Sequence, residues 1–113
     1  MDAKRKAIPK SIRMAVYQKC NGHCAYCGCN LEYRDMQVDH VIPLNGWSEQ
    51  GTDTVENMLP ACRSCNHYKS RSTLEGFRKM VAAMPDNLMR DSNTYKFAVR
   101  FGLLIPNKKQ IVF

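Results

Sequence analysis

The residues best suited to chemistry in this chain are four cysteines arranged as two C-x-x-C pairs. Cys24 and Cys27 form the first pair, and Cys62 and Cys65 form the second, with 34 residues between Cys27 and Cys62. A C-x-x-C turn delivers two thiolates to one ion, and two such turns complete the tetrahedral four-thiolate site that structural zinc prefers. The spacing therefore predicts one zinc ion that joins the ends of a long insert and forms part of the fold itself.

Redox and disulfide roles suit these cysteines less well than zinc does. A thioredoxin-like redox pair requires a βαβ context that the sequence lacks. Disulfides are typical of secreted proteins, and the sequence carries no mark of secretion. Cys20 falls on the apolar face of a predicted helix, and we expect a small core residue there. Cys29 could compete for zinc, but the single residue between it and Cys27 is a poor span for a metal knuckle.

A second group of polar residues lies inside and just after the insert. Asp39 and His40 are adjacent in a predicted strand, so their side chains should point to opposite faces, one able to hold a metal while the other meets water or a phosphate. Asn57 lies in the returning strand. Asn66 and His67 open a helix that begins at the second cysteine pair, where free N–H groups favour a phosphate.

The elements that must position these residues follow a strand, loop, strand, helix order, preceded by a helix. Apolar periodicity predicts the helices, and β-branched and apolar runs bounded by turn residues predict the strands. In chain order we expect a helix over 12–20, a strand over 36–43, a polar loop over 45–54, a strand over 55–61 and a helix over about 65–71.

The last forty or so residues predict packing elements without chemistry. Ser72 as N-cap and Glu75 form a capping box that opens a helix, and Pro85 closes that helix. A second helix is expected over 94–101, and residues 111–113 have the composition of a terminal strand.

Charge is distributed unevenly along the 113 residues, whose formal net charge is +7. Residues 1–30 carry six Lys/Arg and one acid, and residues 61–113 carry ten Lys/Arg and three acids, whereas residues 31–60 carry one Arg and six acids. Two basic flanks around an acidic centre suit a nuclease, in which cationic arms hold phosphates and carboxylates hold a cation. Surface charge scattered for solubility accounts for the same counts equally well.

Length and hydropathy restrict the class of protein. The chain is long enough for one domain, and no run approaches the ~18 apolar residues of a membrane span. The N-terminus lacks the apolar core of a secretory signal. We therefore expect a soluble cytoplasmic protein with no membrane partner.

Several motifs in order resemble those of the HNH endonucleases. These are Val38-Asp39-His40-Val41-Ile42-Pro43-Leu44, Glu56-Asn57-Met58-Leu59 and Cys62-Arg63-Ser64-Cys65-Asn66-His67-Tyr68-Lys69-Ser70, while Cys24-Ala25-Tyr26-Cys27-Gly28 is similar to the first knuckle of their zinc-bearing branch. The resemblance covers about residues 10–75. It implies an α+β fold of the ββα-metal type, a hairpin-plus-helix core with a four-cysteine zinc site, an N-terminal helix and extra C-terminal helices. One nuclease domain would span 1–113, with a helical extension from about 76 to 113.

The resemblance also implies roles for the matched residues. His40 matches the general base that takes a proton from the attacking water, Asp39 matches the carboxylate ligand of the catalytic cation, and Asn57 matches a brace that fixes the hairpin and orients His40. The last histidine of the family usually follows the second knuckle cysteine directly, and Asn66 stands at that position here. Asn66 is the expected ligand, with His67 as the alternative; an amide suits Mg²⁺ or Mn²⁺, whereas an imidazole would also accept Ni²⁺ or Zn²⁺.

The function implied by the resemblance is metal-dependent hydrolysis of phosphodiester bonds in double-stranded DNA, leaving 5′-phosphate and 3′-hydroxyl ends. The cationic side chains expected to contact phosphates are Arg13, Arg63, Lys69 and Arg71. The alternative is a non-catalytic, zinc-stabilised module that binds nucleic acid. Related domains suggest a gene of phage or prokaryotic origin, and the sequence does not predict an oligomeric state.

Overall fold

The computed structural model describes residues 7–47 and 49–113, and it divides the chain into two compact units. The first unit runs to Thr73 and includes Phe113, and the second comprises Leu74–Val112. Every residue predicted to take part in a site belongs to the first unit. The assignment of a single domain to residues 1–113 stays a prediction.

The first unit contains the predicted hairpin and helix, preceded by an N-terminal helix. Its regular elements are α1 (Lys10–Gln18), β1 (Gln37–His40), β2 (Met58–Ala61) and α2 (Arg63–Lys69), with 3-10 turns at Tyr33–Asp35 and Val55–Asn57. Both strands are shorter than predicted. The segment Val55–Asn57 was expected to be strand and is a 3-10 turn. The Val41 N–H still donates to the Asn57 carbonyl, and at Ile42 the side chain of Asn57 takes the place of the backbone ladder.

The two strands are antiparallel, and their register sets the positions of the chemically important residues. Asp39 pairs with Leu59 and His40 pairs with Met58. Pro60 has no N–H to donate, which suits a strand with one neighbour, and its carbonyl accepts from the Ala25 N–H at 2.8 Å. That hydrogen bond joins the hairpin to the first cysteine turn.

Helix α1 packs on the hairpin through a small apolar core. Its buried members are Val16, Leu31, Met36 and Met58. The guanidinium of Arg13 donates to the Tyr33 and Met36 carbonyls at 3.3 and 3.1 Å and lies over the Tyr33 ring. Arg13 is therefore a structural clamp through its Nη2 nitrogen, and its contact with phosphates stays a prediction.

The second unit has three helices where two were predicted. They are α3 (Leu74–Ala82), α4 (Met84–Asp91) and α5 (Asn93–Arg100). Pro85 does not close a helix: it lies in the first turn of α4, where the missing N–H of proline removes no hydrogen bond. Because α3 begins at Leu74, its N-cap position falls one residue after the predicted Ser72.

The predicted terminal strand over 111–113 is wrong. No regular element is assigned there, and the Ile111 carbonyl accepts from the guanidinium of Arg78 at 2.6 Å rather than from a strand. An apolar run cannot form a strand without a partner edge. Among the described residues, no helix is long and apolar enough to cross a membrane.

Candidate metal centre and active site

The four cysteines of the two C-x-x-C pairs meet in space as predicted. Their sulfur atoms all lie within 4.8 Å of one another, and the Cys27 and Cys62 sulfurs are 3.9 Å apart. Four Zn–S bonds of ~2.3 Å in a tetrahedron place sulfurs about 3.8 Å apart. The cluster could therefore bind a metal ion, and its geometry and thiolate chemistry fit zinc.

Local backbone structure explains how each turn presents its sulfurs. Gly28 adopts a positive φ of 77°, which glycine tolerates, and its N–H donates to the Cys24 carbonyl at 3.1 Å. Cys62 is the N-cap of α2, and its sulfur accepts from the Cys65 N–H at 3.4 Å. The Cys24 sulfur accepts from the Cys62 N–H at 3.3 Å, so backbone donors stabilise negative charge on the sulfurs before any ion binds.

The remaining cysteines stand outside this cluster in the described part of the chain. Cys29 is nevertheless close to the cluster, because its thiol makes a hydrogen bond to Cys27. This hydrogen bond raises the pKa of the Cys29 thiol to about 12. At Cys27, burial opposes ionisation but hydrogen bonds from Cys29 and the other cysteines outweigh it and lower the pKa to about 7. Cys27 is thus the thiol of this pair that ionises more readily.

Asp39 lies in a buried polar cluster that the sequence did not predict. It is 4% exposed, and its Oδ2 accepts a hydrogen bond from the hydroxyl of Tyr26. The ammonium of Lys69 lies 3.2 Å from the same oxygen and donates to the His40 carbonyl at 3.1 Å. Burial, then the hydrogen bond to Asp39, raise the pKa of Tyr26 well above its ordinary value, so the hydroxyl keeps its proton and donates.

The prediction that Lys69 contacts phosphates is wrong. The residue is 0% exposed, the most completely buried charged side chain among the described residues. A lysine is buried to this extent only when its charge is paired, and here Asp39 supplies the opposite charge. Lys69 therefore stabilises the carboxylate from inside the protein.

The side chain of His40 has a different partner from that of Asp39. It is 8% exposed, and its Nε2 lies 2.9 Å from Oδ1 of Asp53 in the loop between the strands. Asp53 itself is largely exposed. The sequence marks it only as one of the acids of the central segment, since a contact across 13 positions in a loop leaves no local signal.

Asn57 fastens that loop to the end of β1. Its Nδ2 donates to the carbonyls of Ile42 and Thr52 at 2.8 and 2.9 Å, and its Oδ1 accepts from the Ile42 N–H at 2.9 Å. These three bonds hold the chain directly after His40 and the segment directly before Asp53. The contacts are those of a brace around the His40–Asp53 pair.

The two candidates for the third site position lie on different sides of α2. Asn66 is half-buried, and its Nδ2 donates to Oε1 of Gln37 at 3.3 Å, two residues before Asp39 on β1. His67 is exposed, with its ring edge against Tyr68. Asn66 thus faces the strand that carries Asp39, whereas His67 faces away into solvent.

A cleft of about 120 Å³ brings Asp39 and His40 together at the end of β1. The residues lining it are Asp39, His40, Pro43, Leu44, Asn45, Ser70 and Arg71. Of the predicted cationic contacts, Arg71 belongs to this lining. Arg63 is exposed on the first turn of α2 and is not part of the lining. Asp39, His40 and Arg71 therefore line the same small volume.

Comparisons with known proteins identify a matching family model and two similar sequences. Residues 24–72 match the family model described as HNH endonuclease. The chain is 34% identical over 55 residues to a CRISPR-associated endonuclease Cas9 of Corynebacterium diphtheriae, covering 49% of this chain and 5% of that protein. It is 33% identical over 60 residues to the Septu protein PtuB of Bacillus thuringiensis, covering 51% of this chain and 23% of that protein.

A solved structure supports the fold. The crystal structure of the Type II-C Cas9 enzyme from Actinomyces naeslundii matches with a TM-score of 0.56 at 22% identity, over 69% of this chain and 9% of that one. The predicted α+β, ββα-metal architecture is confirmed. The chain spans less than a quarter of the length of each of these relatives.

Proposed function

We propose that the protein is a metal-dependent endonuclease that hydrolyses phosphodiester bonds of double-stranded DNA, a proposal supported by the match of residues 24–72 to the family model described as HNH endonuclease. The observation that carries this proposal is the cleft at the end of β1, where Asp39 and His40 meet while separate partners hold each of them. A general base and a metal-ligating carboxylate on one cleft are what hydrolysis of a phosphodiester requires.

His40 is the general base of this proposal. When Nε2 carries the proton and donates it to Asp53, the lone pair on Nδ1 is left to accept a proton from water. Asp53 thereby fixes both the tautomer and the ring orientation, while Asn57 fixes the loop that carries Asp53. General-base assistance of this kind contributes a factor of about 10²–10⁴ in rate.

Asp39 and Asn66 are the residues that would hold the catalytic cation. Asp39 Oδ1 is the less engaged carboxylate oxygen, since Tyr26 and the closer Lys69 contact fall on Oδ2. The amide of Asn66 would first leave Gln37. Oxygen ligands favour Mg²⁺ or Mn²⁺, and Ni²⁺ is possible if His67 takes part instead. A bound cation would neutralise the charge that develops on the phosphate and on the departing 3′ oxygen.

The neighbouring Lys69 has a consequence for this site. A buried ammonium 3.2 Å from the carboxylate already neutralises much of its charge. The protein alone should therefore hold a divalent cation weakly, with phosphate oxygens of the substrate completing its coordination. Arg71 in the cleft and Arg63 on α2 would hold the phosphates on either side of the scissile bond. Cleavage of that bond would leave 5′-phosphate and 3′-hydroxyl ends.

Incubation with supercoiled plasmid and Mn²⁺ tests the proposal. Wild type should convert the plasmid to nicked or linear forms, and the His40→Ala variant should not. His23→Ala is the matched control, because His23 is an exposed histidine that does not line the cleft. If wild type binds the plasmid but cuts no better than His40→Ala, the alternative of a non-catalytic, zinc-stabilised module that binds nucleic acid is favoured instead. The bacterial relatives support a prokaryotic or phage gene and an intracellular protein.

A further inference from the structure

Trp47, the sole tryptophan of the chain, stands exposed beside the cleft. Its side chain is 64% exposed. The guanidinium of Arg71 lies 5.3 Å from the centre of its ring, and Arg71 in turn lines the cleft with Asp39 and His40. One arginine therefore connects an open aromatic surface to the proposed catalytic groups.

The loop that carries Trp47 is held close to β1. The Pro43 carbonyl accepts from the N–H groups of Gly46 and Gly51 at 3.2 and 2.9 Å. A Cβ atom at Gly46 would collide with the Glu49 carbonyl oxygen, so the turn next to Trp47 requires glycine. The backbone before Trp47 is thus fixed relative to the cleft.

Burying an indole is favourable, and the exposed ring of Trp47, joined through Arg71 to the cleft, is available to a ligand. Every nucleobase has a π-face that can stack on an aromatic side chain, and a guanidinium can contact a phosphate while it stacks on the same ring. Arg71 covers part of the Trp47 ring, but the exposed fraction leaves most of the indole accessible.

We propose that Trp47 is a stacking platform for an unpaired nucleobase next to the phosphate held at Arg71. This inference rests on the proposed nuclease function and narrows its substrate. Bases inside a regular duplex are stacked on each other and cannot reach the indole, so the preferred substrate is DNA with an unpaired base near the cut, such as a gap, a bulge or a single-stranded stretch.

The intrinsic tryptophan fluorescence of the protein comes from Trp47 alone, because the chain has no other tryptophan. The test titrates the His40→Ala variant, which should bind without cutting, with a single-stranded oligonucleotide, with the fully paired duplex, and with the duplex carrying one bulged base. Single-stranded and bulged DNA should quench the Trp47 emission at saturation, and the paired duplex should quench it less. Binding is measured separately by fluorescence anisotropy of labelled DNA.

Substitutions in the His40→Ala background separate stacking from folding. Trp47→Phe retains an aromatic face and should keep most of the affinity for single-stranded DNA, whereas Trp47→Leu should lose about tenfold, the effect of one base–aromatic stack. Phe97→Ala is the matched control, since Phe97 is also an exposed aromatic with an arginine, Arg100, over its ring. That variant should bind like its parent.

Three results would overturn the inference. The first is saturating binding of single-stranded DNA with unchanged Trp47 emission. The second is a Trp47→Leu variant that binds single-stranded DNA as tightly as Trp47→Phe. The third is a Trp47→Leu variant that loses affinity for duplex and single strand equally. These measurements involve no cleavage, so they are independent of the plasmid assay that tests the nuclease function itself.

Discussion

The hydroxyl of Tyr26 donates a hydrogen bond to the carboxylate of Asp39, which ties the first cysteine turn to the residue proposed to hold the catalytic cation. Tyr26 stands between the two cysteines of that turn, and its N–H also donates to the Cys24 sulfur at 3.4 Å. The position of this hydroxyl therefore depends on the geometry of the four-cysteine site. A zinc ion there would do more than stabilise the fold, because it would also set the position of Asp39.

Replacing Tyr26 with phenylalanine should raise the Mn²⁺ concentration needed for half-maximal nicking. The ring would still fill its buried site, but Asp39 would lose a donor and turn toward Lys69. Leaving a buried carboxylate with one partner fewer should also lower the free energy of unfolding by about 1–3 kcal/mol. Zinc content should stay unchanged. Tyr33→Phe, a half-buried tyrosine elsewhere in the unit, is the control, and equal Mn²⁺ dependence in both variants would contradict the link.

Removal of zinc should abolish nicking, and adding Mn²⁺ to the zinc-free protein should not restore it. Metal analysis of the native protein should find about one tightly bound zinc per chain. Chelation should release this ion, loosen the first unit and displace Tyr26, because binding a structural metal is part of folding. Cys62→Ser should lose the zinc and Cys29→Ser should keep it. A folded, zinc-free protein that nicks DNA with Mn²⁺ would show that the cysteines have another role.

Substituting Lys69 with methionine should make stability depend on divalent cations. Removing one member of a buried ion pair costs about 3–5 kcal/mol, since the remaining charge is left without a partner. Millimolar Mn²⁺ should restore part of this loss by binding the freed Asp39 carboxylate. Thermal unfolding with and without Mn²⁺ measures the effect, with the exposed Lys79→Met as control. A Lys69→Met variant that unfolds at the same temperature with and without Mn²⁺ would argue against Asp39 as a cation ligand.

Ser70 adopts a backbone conformation that favours glycine, with φ 50° and ψ −127°, directly after α2 and at the wall of the cleft. Ser70→Gly should relieve this strain and raise the free energy of unfolding by about 1 kcal/mol. The same substitution at Ser64, inside α2, should have the opposite sign, because glycine lowers helix stability. Denaturant unfolding of the two variants provides the comparison, and a destabilised Ser70→Gly would mean that the serine side chain makes an essential contact.

The features predictable from sequence are those encoded by local spacing. The paired cysteines, the strand carrying Asp39 and His40, and the helix starting at the second pair each follow from a few adjacent residues. The roles of Tyr26, Asp53 and Lys69 could not be predicted in this way, because their partners lie 13 to 30 positions away. A lysine beside an active-site motif is ordinarily exposed, and only the tertiary fold shows the buried carboxylate that pairs with it.

Proline and the apolar chain end are ambiguous for a similar reason. Proline both ends helices and starts them, and the sequence favours the first role for Pro85 while the structure gives it the second. The helix α4 is therefore absent from the sequence prediction. The apolar end of the chain has strand composition, but whether a strand forms depends on an available edge, which composition does not encode.

The most direct test of the proposal is the single-turnover rate constant for cleavage of a labelled duplex at saturating Mn²⁺, measured for wild type, His40→Ala and Asp53→Asn. His40→Ala should be slower by about 10²–10⁴, the contribution of a general base. Asp53→Asn should fall between the two, with DNA affinity unchanged, because it alters the tautomer and orientation of His40 but not the phosphate contacts. A His40→Ala variant that is folded, contains zinc and cleaves at the wild-type rate would contradict the assignment of His40 as the catalytic base.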